Sequence, residues 1–395
     1  MPVNELNQTP NASRLHIALF GRRNSGKSSL VNALCGQQVA LVSGFAGTTT
    51  DPVYKPVELY PLGPCVLIDT AGFDDEGELG RLRVEKSRQV LERTDLALLV
   101  LTAGQQDLSQ EEQWLELLRA HKKPVVVAVN KSDLSTEMPA LIKGLPHALV
   151  SARTGEGVAL LKEKLIEAAP KDCELPSITG HLVGEGDHVL LIAPQDIPAP
   201  KGRLILPQVQ TIRDLLDLRA CVSVATTDKL AQALSLYREP PALIITDSQA
   251  FGEVYPLCPK GTRLTSFSVL MARYKGDIEE YVRGAAALDT LCENDKVLIL
   301  EACSHEPLDG DIGRVKIPAA LRKRVGQGLS IEVRRGADIP QDLTPYALVV
   351  HCGGCMFNRA HVLSRIAKCK EQGVPITNYG ILLAKLGGIL DKVVY

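Results

Sequence analysis

Aromatic residues are scarce in this sequence, at 4% of 395 residues with a single tryptophan. A surface that stacks bases needs aromatics set among basic residues. Here 44 Lys and Arg nearly balance 46 Asp and Glu, for a net charge of −2. Neither nucleic acid nor an anionic membrane surface is therefore an expected partner. Long hydrophobic runs are also lacking. None approaches the ~18–20 apolar residues of a membrane span, and GILLAKLGGIL near the end is short and broken by glycine. The opening MPVNELNQTP is polar and has no apolar stretch of the signal-peptide kind, so the expected location is cytoplasmic. In that reducing compartment ten cysteines do not imply a disulfide framework. Cys35, Cys65, Cys173, Cys221, Cys258, Cys292 and Cys369 are isolated and read mostly as small buried apolar side chains. Cys303, Cys352 and Cys355 need another explanation.

What is present is an ample supply of core. Hydrophobic residues make up 45% of a chain too long for one ordinary domain, which predicts two or three. Residues 15–168 alternate strand-like runs (HIALFG, CVLIDTAG, LALLVLTA, PVVVAVNKSD, HALVSA) with helical patterns such as SSLVNALCG and SQEEQWLELLRAHKK. That rhythm predicts a parallel sheet covered by helices on both faces. The polar stretch AAPKDCELPSITG reads as a linker. A second α/β rhythm follows, with HVLLIAP, RLILP, CVSVA and ALIITDS as strands, and then a third, with KVLILEAC, LSIEVRRG, ALVVHCGGC and PITNYG. The expected fold is α/β: an N-terminal P-loop domain over 1–170 and two further α/β domains, 171–265 and 266–395, with largely parallel sheets.

GRRNSGKS at 21–28 follows the strand HIALF and opens the helix SSLVNAL. This is the setting that the phosphate-binding pattern G-x-x-x-x-G-K-[ST] requires. Backbone amides and the helix N-terminus would cradle phosphates, Lys27 would reach the β- and γ-phosphates, and Ser28 would bind Mg²⁺. DTAG closes a strand, so Asp69 can approach Mg²⁺ through water and the Gly72 amide can sense the γ-phosphate. In NKSD, Asp133 offers two acceptor oxygens to guanine N1–H and N2–H₂, which adenine cannot match, while Asn130 holds the neighbouring loop. SAR at 151–153 can present a backbone amide to guanine O6. The expected nucleotide contacts are Asn24, Ser25, Gly26, Lys27, Ser28, Ser29, Asp69, Gly72, Asn130, Lys131, Asp133, Ser151 and Ala152. The order and spacing are those of GTPases, and GTP is the expected substrate.

Phe73 stands where many small GTPases carry the glutamine that orients the attacking water. With GTTTD at 47–51 and Asn24 in the loop, the domain resembles the subgroup typified by tRNA-modification and ribosome-assembly GTPases. That resemblance implies a potassium ion bound with the help of Asn24 and standing in for an arginine finger. It also implies a switch threonine that binds Mg²⁺, at Thr49 with Thr48 a close competitor. Thr50 replaces the family's arginine. A water-positioning acid is sought in DDEGELG, at Glu78 ahead of Asp74, Asp75 and Glu76. Hydrolysis is expected to be slow, as in a switch.

The remaining constellation is Cys303-Ser-His305, then His351-Cys352-Gly-Gly-Cys355. Soft thiolates favour an iron–sulfur cluster or zinc over hard cations. A Cys₃His zinc site is the structural alternative, but an α/β domain with its own core needs no metal to fold. Both groups follow strands, at the sheet edge where ligands bind in open α/β folds. A GTPase domain, a motif-free α/β domain and C-x-H…H-C-x-x-C together resemble the [FeFe]-hydrogenase maturation GTPases over essentially the whole chain, and TSFS…AR at 265–273 is also similar.

The resemblance implies a homodimer formed through the middle domain and a [4Fe-4S] cluster on Cys303, Cys352 and Cys355. His305 and His351 would then be either iron ligands or groups that orient a cysteine or the incoming diiron unit. It implies a scaffold that takes up a transient [2Fe] subcluster precursor of the H-cluster, with radical-SAM hydrogenase maturases upstream and apo-[FeFe]-hydrogenase as recipient. The competing reading is an RNA- or ribosome-associated GTPase with a C-terminal structural zinc site. Its support is the GTPase subgroup and a mildly basic last segment.

Overall fold

The structure is a computed structural model that describes residues 11–35, 52–73, 77–170, 177–194, 204–302, 311–336 and 339–395, with the side chains of 11 and 77–83 excepted. The chain forms two compact units, Met1–Glu174 and Leu175–Tyr395.

The first unit runs β1 Leu15–Phe20, α1 Lys27–Cys35, β2 Val53–Leu59, β3 Gly63–Asp69, α2 Gly77–Arg93, β4 Leu96–Thr102, α3 Ser109–Ala120, β5 Val125–Asn130, β6 His147–Leu149 and α4 Val158–Ala168. Its sheet has the order β2-β3-β1-β4-β5-β6. All neighbours are parallel except β2 and β3. The central strands are near-continuous apolar runs because helices cover both faces. Along β1, Ile17 and Leu19 enter one core while Ala18 and Phe20 enter the other, the two-residue period of a strand read out as two layers. The antiparallel strand β2 has no strong apolar run. It sits on the sheet edge, where Pro56 is tolerated.

The second unit holds two four-stranded sheets. The first is built from β7 His188–Ile192, α5 Leu206–Asp217, β8 Cys221–Ala225, α6 Leu230–Leu234, β9 Leu243–Thr246, α7 Phe251–Val254, β10 Arg263–Ser266 and α8 Phe267–Lys275. The second follows with α9 Ile278–Ala285, β11 Lys296–Glu301, α10 Ile317–Val325, β12 Ser330–Arg335, β13 Leu348–His351, α11 Arg359–Glu371, β14 Ile376–Asn378 and α12 Tyr379–Leu386. Their orders are β10-β9-β7-β8 and β12-β11-β13-β14, and every pairing is parallel. Each sheet starts on an inner strand, adds its second strand on one side and its third and fourth on the other. The strand order therefore reverses between β7 and β9, and again between β11 and β13. Crevices at such reversals, outside the strands' carboxyl ends, are where open α/β sheets bind ligands.

Two segments differ from the sequence expectation. RLILP is not a strand: Leu206 and Pro207 open α5, where proline's fixed φ suits the first helical turn, and the Gln208 side chain accepts from the Ile205 amide at 3.1 Å. In PITNYG only Ile376–Asn378 is strand, because Asn378 Oδ1 accepts from Gly380 N at 2.7 Å and caps α12. Helix α12 itself stops at Leu386, where Gly387 follows and Gly388 turns left-handed at φ 68°.

One core joins the two sheets of this unit. Leu190, Ile244 and Leu264 from the first pack in the same cluster as Leu298, Val349 and Ile376 from the second, with Val269 and Ala272 of α8 between. Strand β10 passes directly into α8, whose N-cap Ser266 accepts from Val269 N at 3.3 Å. Among the described residues no helix is long and apolar enough to cross a membrane.

Candidate nucleotide site and cysteine loop

The phosphate loop lies between β1 and α1. Asn24 and Gly26 have φ of 61° and 91°, the left-handed turns that coil backbone amides inward. A Cβ at Gly26 would overlap Asn130 Nδ2, so glycine is required for space as well as for conformation. Lys27 is buried and its Nζ donates to the Gly21 and Arg22 carbonyls, each at 2.8 Å. Phosphate oxygens would be stronger, charge-assisted acceptors for the same ammonium.

Ser28 Oγ donates to Asp69 Oδ2 at 2.5 Å, while Asp69 Oδ1 is buried with no partner among the described residues. Burial raises the Asp69 carboxyl above its usual range, against the pull of the Ser28 hydroxyl and Lys27. A hydroxyl beside an unsatisfied carboxylate oxygen at the loop fits a hard divalent ion such as Mg²⁺.

Asn130 ties the base-binding loops together. Its Nδ2 donates to Ser25 O at 2.9 Å and its Oδ1 accepts from Ala152 N at 3.0 Å. The Ser151 hydroxyl donates to Asp133 Oδ1 at 2.6 Å, and Arg153 pairs with Oδ2 at 3.0 Å. The Ser151 hydroxyl, then the nearby Arg153 and Lys131 charges, hold the Asp133 carboxyl below its usual range. These loops line a cavity of about 810 Å³ with Gly26, Ser29, Asn32 and Lys131. The fold thus brings Gly26 and Ser29 of the P-loop, Asn130, Lys131 and Asp133 of NKSD and Ala152 of SAR around one cleft, with Asp69 beside Ser28.

Phe73 is buried and stacks on Trp114 at 5.5 Å, with Phe20 on Trp114 at 5.2 Å. A side chain used this way cannot also orient water. Thr49 and Asp74, Asp75 and Glu76 lie outside the described residues, as does the side chain of Glu78 at the start of α2. Sequence reasoning missed the Arg22–Glu111 pair. Glu111 is 0% exposed in the first turn of α3, and Arg22 Nε reaches it at 2.8 Å. Its only sequence signal is an acid at a core-facing helical position, and its partner is 89 residues away.

The cysteine loop leaves β13 at the reversal point of its sheet. Cys352 N donates to Leu300 O at 3.0 Å, and Ala302 N donates to Cys352 Sγ at 3.1 Å. Ala302, which follows β11 and precedes Cys303, is therefore bonded to the Cys352 sulfur. Gly354 turns the chain at φ 62°, and Asn358 caps α11. Burial pushes the Cys352 thiol up to about 11, so a metal must displace its proton.

His351 is buried with both ring nitrogens engaged, Nδ1 with Cys352 O at 2.6 Å and Nε2 with Arg365 Nη1 at 3.2 Å. Burial and then Arg365 push it down to about 3. These partners assign a neutral ring that donates from Nδ1 and accepts at Nε2. Cys303 and His305 lie outside the described residues. Among the described residues no three His, Cys, Asp or Glu side chains group as a metal site. The two cysteines of the loop, one accepting a backbone N–H, have the chemistry of a partial iron–sulfur or zinc ligand set.

Residues 178–276 match the family model for the hydrogen maturase F dimerization domain, and residues 279–395 that for its tetramerization domain. The chain belongs to the hydrogen maturase F family. The N-terminal part of this maturase, residues 16–131, matches the model described as 50S ribosome-binding GTPase, in keeping with the TrmE/Era-like superfamily. Two curated relatives are the tRNA modification GTPases MnmE of Chromobacterium violaceum, 40% identical over 39% of the chain, and of Heliobacterium modesticaldum, 41% identical over 37%. The matches span 34% and 32% of those proteins, about a third of their length. A solved structure of Aquifex aeolicus Era with GDP·AlF4⁻ is 20% identical, covering 53% of this chain and 92% of that one, with a TM-score of 0.36. The C-terminal half thus carries matches to two oligomerisation domains of that family.

Proposed function

We propose that this chain is a GTP-regulated scaffold that takes up the diiron precursor of the [FeFe]-hydrogenase H-cluster and passes it to apo-hydrogenase. In this reading residues 171–265 mediate dimerisation and 266–395 hold the metal. The observation that carries it is the bond from Ala302 N to Cys352 Sγ, which brings the end of β11 to the cysteine loop at a sheet reversal in a chain of this family. Cys303, Cys352 and Cys355 would hold a [4Fe-4S] cluster, which would supply one iron with an exchangeable fourth position. His351, engaged by Arg365 and Cys352 O, acts as an orienting group. His305 is left as the candidate for direct ligation or for contact with the diiron cargo, which radical-SAM maturases would deliver.

At the other end Lys27 and the loop amides bind the phosphates, Ser28 with Thr49 and Asp69 hold Mg²⁺, and Asn24 helps bind potassium. Gly72 senses the γ-phosphate and Glu78 orients water. Hydrolysis is slow, and the nucleotide state governs partner release. Replacing sodium by potassium is expected to raise GTP turnover; equal rates would remove Asn24 from this role.

Anaerobic reconstitution with iron and sulfide tests the metal reading. A broad visible absorption that bleaches on reduction to an EPR-active state is expected. Stoichiometric zinc without that chromophore would favour the RNA-associated alternative. Activation of apo-hydrogenase by protein isolated with its radical-SAM partners tests the transfer.

A further inference from the structure

We propose that Lys275 is the counter-cation of the cysteine site, a positioning residue that clamps the CGGC loop and offsets the negative charge of its thiolates. This rests on the reading of Cys352 and Cys355 as ligands of an iron–sulfur cluster. Lys275 ends α8 and is 1% exposed. Its Nζ donates to Phe357 O at 2.8 Å, Cys355 O at 3.1 Å and Gly354 O at 3.4 Å. All three acceptors belong to one loop, the one that carries the cysteines. An ammonium has three donors, and here all three serve that loop's main chain.

Carbonyls solvate a cation without neutralising it. A buried lysine ordinarily has an anionic partner, yet among the described residues no carboxylate bonds to Lys275. A norleucine-like packing residue would fill the same space at lower cost. The charge gains its partner when Cys352 and Cys355 become thiolates on a metal. A trio of cysteine thiolates on a [4Fe-4S] core is a net anion, and the ammonium lies behind the loop that presents two of them. The clamp also crosses between family domains: Lys275 lies within the dimerization match, 178–276, and the loop within the tetramerization match, 279–395.

The site's charge and hydrogen bonding set the potential of an iron–sulfur centre, which separates a counter-cation from a structural lysine. The full chain and its K275Q and K275R variants are reconstituted anaerobically, iron and sulfide content is measured, and the cluster is titrated by EPR. The expected result for K275Q is a cluster whose reduced-to-oxidised ratio at fixed potential falls about tenfold, which is about 59 mV for one electron. K275R should stay within threefold of the parent. If K275Q cannot hold the cluster while K275R does, the charge is again required. The proposal is overturned if K275Q loads and titrates like the parent, or if K275R fails together with K275Q. If the unsubstituted chain takes up no iron–sulfur chromophore, the function reading itself falls, and this inference with it.

Discussion

Restoring the usual glutamine at position 73 is expected to damage this GTPase. Phe73 is 8% exposed and is the outer ring of the Phe73–Trp114–Phe20 stack, with centroid spacings of 5.5 and 5.2 Å. Truncating a buried phenylalanine to alanine costs about 3–5 kcal/mol. A glutamine recovers about 1.5 kcal/mol through two methylenes, then loses about 1–2 kcal/mol by burying an amide with no partner in this apolar layer. The net for Phe73→Gln is about 4 kcal/mol of destabilisation. For a unit of this size that lowers the midpoint by about 8–16 °C. Calorimetry on the full chain reads this directly, with the GTPase transition identified by its upward shift in GDP. Single-turnover hydrolysis measured below the transition should not increase. An unchanged midpoint together with hydrolysis at least tenfold faster would refute the argument, because Phe73 would then be a spacer and not part of the core.

Asn130→Ala removes the bonds to Ser25 O and Ala152 N at 2.9 and 3.0 Å. At about 1 kcal/mol each, GDP and GTP should both bind about 30-fold more weakly by titration calorimetry, with little change in their ratio. Asp133→Asn should shift binding from guanine towards xanthine nucleotides, since the acceptor facing N2–H₂ becomes a donor; fluorescent-nucleotide competition measures the switch. Gly284→Ala should destabilise the second unit although alanine favours helices by about 1 kcal/mol. Its Cβ would overlap the Ile376 carbonyl of β14, and the loss would appear as a lower urea midpoint.

The GTPase fold and most of its cleft were legible in the sequence because each part is local. A strand, a glycine loop and a helix lie within some twenty residues, and Asn130 and Asp133 announce themselves through spacing. The cysteine loop was legible for the same reason, as HCGGC after an apolar run. What could not be read is what acts across distance. Glu111 carries no mark of its bond to Arg22, and Lys275 looks like the ordinary basic end of a helix until the fold sets it under a loop 79–82 residues away. RLILP misleads because three apolar residues fit a strand or a helix start, and Pro207 with Gln208 decides for the helix. The shared core of the second unit is likewise invisible to a reading by segments, since each rhythm looks self-sufficient.

That shared core has a consequence for how the chain is handled once made. With Leu190, Ile244, Leu298 and Val349 in one cluster, loss of packing in one sheet exposes apolar surface of the other, which couples the stability of the two. Anything held tightly by the folded cysteine loop then stabilises the oligomerising sheet as well, by mass action. Chains with and without a ligand on that loop would differ in how often they open to a protease, so binding at one end of the unit would set the lifetime of the whole.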